Sequence, residues 1–467
     1  MKEQRFVGKW WVPSNENRQI GGVLTVDVDG HSELELVDEL IDEDDPVAMV
    51  YGAAQGRDIT LLDVMSKGTS RVFAQNVSAV ERSQPGAVIV GFHLESPTQE
   101  VFDHIDVQIS NLTTWARDTS IEETTTFTEH EDGMTIVSDE IKITPPEAVF
   151  ARLDAHEVDV AMRRVVRRSG TKERAWARSL DIQEEVTLRI SANSPRSWDG
   201  FTPTLLAFRD LITLAVQSGS VIGARKLLID IADRPTPYVV DLYVNGGGEV
   251  SDARRHRDLL FDLRDVDFET VINRWVAIRT QIGLPLDVLL GLDYIKTGYY
   301  ENRLFNAASA GEGFHTGLYP DSKQLTTEQH AAIKARVAEV FEGDDLTWVK
   351  QQVSWNRLGL KDRYMELAGH ADQKAVTALL TDAETWARWL KNARNSIGHV
   401  DTDALAKAVP DSARFLLTDI TRAFLHLVLL QELGLDPELQ RRAVDNLYTF
   451  RAGQFREAVD KDIASRP

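Results

Sequence analysis

Lys391-Asn392-Ala393-Arg394-Asn395-Ser396-Ile397-Gly398-His399 closes a run, Thr385-Trp386-Ala387-Arg388-Trp389-Leu390, that reads as helix. Gly398 stands where a glycine loosens or ends a helix. At about 100° per residue Asn395 and His399 share a face, whereas Arg394 and His399 lie roughly 140° apart. Those two meet one substrate only if the helix distorts at Gly398 or if two chains pool their residues.

The three side chains suit a narrow chemistry. Histidine moves a proton near neutral pH. Arginine forks onto phosphate oxygens. Asparagine orients a neighbour or donates to an oxyanion. Together they fit metal-free cleavage of RNA, in which a ribose 2′-OH attacks the adjacent phosphate. Lys391 is a further candidate for an RNA phosphate, although a solvated lysine reads the same way. Trp386 and Trp389, spaced i, i+3, suit either base stacking or the helix core.

Outward from the motif, everything after about Pro285 reads as helix. The expected spans are Leu286–Gly291, Tyr299–Phe314, Thr327–Glu342, Trp348–Leu358, Lys361–Leu367, Ala375–Ser396, Ser412–Leu433 and Pro437–Val459. Phe415, Leu416, Ile420, Phe424, Leu427 and Val428 form a stripe for a core or a dimer contact. Glu312 and His315 (i, i+3) pose a metal-pair alternative without a nearby third ligand, which favours a helix-orienting role. His370, after Gly369, reads as a helix-end residue.

The front of the chain reads as strands. Val23–Val28 and His31–Leu36 alternate about Asp29-Gly30, a two-residue hairpin signal. Ile59–Leu62, Arg71–Ala74, Ala87–Phe92 and Ile105–Ile109 continue the pattern, which suggests a sandwich or a barrel-like sheet. Asp38–Asp45 is an acidic loop, either solvated or set to dock a basic partner. Arg163, Arg164, Arg167 and Arg168 form the densest basic run, either a stripe for RNA or another phosphate-bearing partner, or an edge strand with charged flanks. Thr202-Pro203 opens a helix with Thr202 as N-cap. Gly246-Gly247-Gly248 lacks the lysine of a phosphate-binding loop and reads as a turn. The expectation is an α+β multidomain chain: a β-rich region over 1–145, an α/β continuation over 146–285 and an all-α bundle over 286–467.

Composition narrows the class. With no cysteine there is no disulfide framework and no thiolate metal site. No signal peptide and no membrane-length apolar run is read, so the expected location is the cytoplasm. A net charge of −21 opposes indiscriminate nucleic-acid binding, so any RNA must use a local basic groove. No cofactor is called for.

Arg394, Asn395 and His399, near the end of a helix in an all-helical region, resemble the signature of the HEPN superfamily. There an Arg, often followed directly by Asn, precedes a His by a short spacer. The stretch Glu301–His315 looks like the opening helix of the HEPN domain in ApeA-type proteins. Gly8-Lys9-Trp10-Trp11-Val12-Pro13, followed by Gly21-Gly22-Val23-Leu24, looks like the start of their N-terminal domain. The resemblance implies an endoribonuclease of bacterial anti-phage defence by abortive infection. Its chains would pair as homodimers or higher oligomers and cut RNA (tRNA or another host or phage RNA) to a 2′,3′-cyclic phosphate. A phage-derived trigger would act through the N-terminal region. Arg394, Asn395 and His399 would be the catalytic residues. The alternative is a non-catalytic HEPN module for dimerisation or for binding nucleotide or a partner.

Overall fold

In the computed structural model, strands β1 (Gln4–Trp11), β2 (Ile20–Val26), β3 (Ser32–Leu36), β4 (Val47–Ala54), β5 (Arg57–Ser70) and β6 (Val80–Gln84) follow the order β5-β4-β1-β2-β3-β6. All pair antiparallel, and β6 pairs again with the far half of β5 (Met65 opposite Gln84, Ser70 opposite Val80). The second pairing closes a six-stranded barrel and leaves no free edge in it. Trp10, Leu24, Leu34, Leu36, Val50, Ile59 and Leu61 fill the barrel and are fully buried. Gly52 makes room for Trp10, because a Cβ there would stand 2.2 Å from the indole ring.

The structure describes residues 3–28, 30–40, 47–70, 80–130, 133–174, 177–245, 252–295 and 297–466. Asp29, most of the acidic loop (41–46), the strand expected at Arg71–Ala74 and the run Gly246–Gly248 lie outside them. The β2–β3 connection departs from the two-residue turn. Asp27 N–H donates to His31 O and Gly30 N–H to Asp27 O, with Gly30 at φ 88°. The ladder thus resumes one residue earlier, and Gly30 occupies the left-handed position of a bulged, three-residue hairpin.

From β5 the sheet extends through Ala87–Val90, Tyr238–Val244, Ile222–Ile229, Phe102–Ile109, Ile182–Arg196, Val158–Arg168 and Val149–Leu153. Helix Thr202–Val216 is buried on most sides. Its N-cap is Phe201, with Thr202 the first helical residue, so the expected threonine cap does not form. A separate hairpin, Ile121–His130 with Gly133–Ile143, stands apart from the main sheet.

The chain divides into two compact units, 1–273 and 274–467. The second is helical: α1 (Leu284–Tyr294), α2 (Tyr300–Leu318), α3 (Leu360–Ala368), α4 (Gln373–Leu380), α5 (Ala383–Gly398), α6 (Asp411–Glu432) and α7 (Thr449–Ala464), with further helices between them, among them Thr327–Val340. Helix α6 is buried along most of its length, and so is the expected stripe on it. Phe415 is the exception, 64 % exposed, with its ring 4.7 Å from that of Tyr300. The single helix expected over Ala375–Ser396 is two. Thr381 takes φ 61°, and Asp382 accepts from Thr385 N–H at 3.0 Å to start α5 anew. An N-cap aspartate inside an apolar-periodic run carried that signal. The helix expected at Trp348–Leu358 forms earlier, at Gly343–Gln352. No single helix among the described residues is long and apolar enough to cross a membrane.

Candidate active site

Helix α5 is amphipathic, and its apolar side fixes which residues face outward. Trp386, Trp389, Leu390 and Ala393 are buried. Trp386 Nε1 donates to Thr421 Oγ1 at 3.0 Å, and its ring lies 4.8 Å from that of Phe424. Trp389 meets Phe455 edge-on at 5.7 Å. Both tryptophans therefore belong to the core and present no ring to a base. Lys391 and Asn395, one turn apart, are half-buried on the other side, and His399 follows one turn further on, exposed.

Arg394 is held from helix α2. Its Nη2 donates to Glu312 Oε2 at 3.3 Å, and its guanidinium sits 5.9 Å from the centre of the Phe305 ring. Its Nε is buried and has no hydrogen-bond partner among the described residues. The other oxygen of Glu312 accepts from Arg363 Nη1 at 3.1 Å, and Arg363 Nε donates to Leu358 O. Tyr364 packs behind the pair and donates to Ala308 O at 2.9 Å. Burial, together with the Glu312 charge, pushes the Tyr364 hydroxyl far above its ordinary pKa, so it stays protonated.

The end of α5 is a hydrogen-bonded turn. His399, at φ −99° and ψ 3°, continues the helical sense, and its N–H donates to Asn395 O. Val400 N–H donates to Ile397 O, and Asp401 N–H to Ser396 O at 2.8 Å. This is the Schellman pattern, and its left-handed seat, usually glycine, is filled by Val400 at φ 57°. Asp401 then caps the helix Thr402–Ala408 through Ala404 N–H. Gly398 is the last residue of α5, as expected of a glycine that ends a helix; the helix runs unbroken to it, and the backbone turns left-handed at Val400.

The other sequence candidates are placed as follows. Glu312 is shared between two guanidinium groups. His315 is buried, with Nε2 2.8 Å from Glu366 Oε2, a bond that holds the Glu366 carboxyl below its ordinary pKa. The two side chains thus tie helices together, as an orienting role requires, and are not free to form a metal pair. His370 bridges Tyr319 and Glu432. Of the basic run, Arg163 and Arg167 point to one face of strand Val158–Arg168, and Arg164 and Arg168 to the other. Arg164 donates to the carbonyls of Ala116 and Asp118 with 2 % of its side chain exposed, and Arg167 pairs with Glu185 at 2.7 Å. The four arginines therefore form no single-faced stripe. Arg363 and Phe305 were not legible as site residues, because no local pattern links them to Arg394.

Residues 5–275, more than half of the chain, match the family described as ApeA N-terminal domain 1, and residues 305–439 match the one described as Apea-like HEPN. No curated protein and no solved structure matches. The chain belongs to the ApeA family, with a C-terminal HEPN domain.

Proposed function

We propose that this member of the ApeA family is a metal-independent endoribonuclease of the cytoplasm that acts in anti-phage defence. The observation that supports it most is the end of α5. There Arg394 is aligned by Glu312 and Phe305, while His399 stands exposed on a hydrogen-bonded turn a few residues away. In the proposed reaction His399 takes the proton of a ribose 2′-OH or gives one to the leaving 5′-oxygen. The 2′-oxygen bonds to phosphorus, the bond from phosphorus to the 5′-oxygen breaks, and a 2′,3′-cyclic phosphate and a 5′-hydroxyl result. Arg394 stabilises the charge on the phosphoryl oxygens, and Asn395 orients the scissile group. Because α5 stays regular, Arg394 and His399 of one chain remain on different sides of it. Two chains facing one another across a groove would supply both groups to one RNA.

The second reading is a non-catalytic module, and the Glu312–Arg394 pair favours it, since part of the guanidinium is already engaged within the chain. In-cell mapping of RNA 3′ ends under phage challenge separates the two. Under the catalytic reading, ends carrying cyclic phosphate appear with the wild type, and His399→Ala lowers them by about 10²–10⁴-fold. Because His399 is exposed, the variant's melting temperature stays unchanged. Protection by both proteins without new ends would establish the binding module instead.

A further inference from the structure

In the N-terminal unit, strand Ile222–Ile229 pairs regularly with Phe102–Ile109 from Arg225 onward, but the register slips between Ile222 and Arg225. A bulge re-aims a side chain and is enriched beside binding sites. At this slip the sheet opens into a cavity of about 410 Å³. One part of its wall is apolar, with Ile109, Val186 and Leu242. Another part carries Arg225, Asn111 and Glu185.

These polar groups are unevenly satisfied. Glu185 has both oxygens engaged, one by Arg167 Nη1 and one by Gln108 Nε2, each at 2.7 Å. Arg225 is half-buried, and no described residue gives its guanidinium a hydrogen bond or an ion pair. Burial lowers its pKa, with no neighbouring charge opposing. Asn111 takes φ 64°, and its Oδ1 accepts from Arg254 N–H at 3.0 Å. Its Nδ2 is buried without a partner among the described residues. The cavity thus offers a cation and an amide donor, neither with an acceptor of its own. A partly desolvated cation without a partner costs stability, and an anion that arrives from outside would relieve that cost.

The geometry points to a binding site for a small molecule with an oxyanion head, phosphate or carboxylate, held by Arg225 and Asn111, and an apolar body against Ile109 and Leu242. The volume fits that class, since small-molecule sites run about 300–1,000 Å³. A bare phosphate would leave most of it empty. The site stands whether or not the C-terminal motif cuts RNA.

The test is thermal melting of the full chain at low salt, wild type against Arg225→Gln, with Arg178→Gln on an exposed hairpin as the control. The probes are inorganic phosphate, adenosine 5′-monophosphate and benzoate at millimolar concentration. Without probe, Arg225→Gln melts no lower than wild type, because an unmatched charge has been removed. At least one probe raises the melting temperature of wild type and of Arg178→Gln by about 2–4 °C and leaves Arg225→Gln unmoved. A larger shift with the nucleotide or with benzoate than with inorganic phosphate identifies the head group and shows that the body is bound. Overturning results are a probe-free loss of several degrees in Arg225→Gln, which would make the guanidinium structural, or equal or absent shifts in all three proteins.

Discussion

Asp293→Asn tests how the helical unit is locked together. Asp293, on α1, is fully buried and accepts from Arg422 Nη1 of α6, a short contact. His426, one turn along α6, has Nε2 3.7 Å from the other carboxylate oxygen, too far for a hydrogen bond. Its Nδ1 lies 3.1 Å from Tyr448 Oη. Burial pushes the Asp293 carboxyl up, but the Arg422 guanidinium beside it brings it below the ordinary value, so it is charged. Burial lowers the His426 pKa, so the ring is neutral. Removing one partner of a buried pair costs about 3–5 kcal/mol, because the other charge is left unmatched. Arg422 keeps 20 % of its side chain in solvent, which places the cost near the lower end, about 3 kcal/mol. For a unit of this size that lowers the melting temperature by roughly 6–12 °C. Urea unfolding of the full chain, followed by the loss of helical circular dichroism, measures it. The double replacement Asp293→Leu with Arg422→Met removes both charges and is expected to lie within about 1 kcal/mol of wild type. A loss below about 1 kcal/mol in Asp293→Asn, or a double variant as unstable as the sum of the singles, would refute the reasoning.

Two further outcomes are expected. The bidentate bond from Arg441, helped by Ala375 N–H, lowers the Asp372 carboxyl to about 2. Its folded pKa lies below the unfolded value of about 3.9, so its stabilisation is complete above pH ~4 and is lost as the pH falls towards 2. Acid titration of unfolding should show that loss in wild type, and Asp372→Asn should flatten it. Val400 holds a left-handed conformation with a β-branched side chain, so Val400→Gly is expected to raise stability by about 0.5–1 kcal/mol, read by melting. A loss of stability would mean that the valine side chain contributes more by contact than its backbone costs.

Much of the architecture is carried by short-range signals. Alternation over Val23–Leu36 specifies two paired strands, because side chains on a strand repeat every second residue. The run Trp386–Leu390 with Arg394, Asn395 and His399 specifies a helix with a polar end, because one turn of helix fixes which neighbours share a face. The family resemblance rests on these same local segments.

What the tertiary structure alone decided lies between residues far apart in the chain. Nothing near Val80–Gln84 shows that it pairs with both β3 and β5, and that double pairing turns a meander into a barrel. Glu312 carries no mark of its attachment to Arg394, 82 positions later, and its spacing from His315 pointed only to an orienting role without naming the partner. Arg163 to Arg168 look like one basic patch until the strand sends them to opposite faces and Arg164 is buried on carbonyls. Arg225 looks like any strand arginine until the fold sets it beside a slipped register with no ion-pair partner among the described residues. Periodicity and capping act over one turn or one pleat, so a linear reading contains them. A charge takes whichever partner folding brings within a few ångströms, and that choice exists only once the chain has closed on itself.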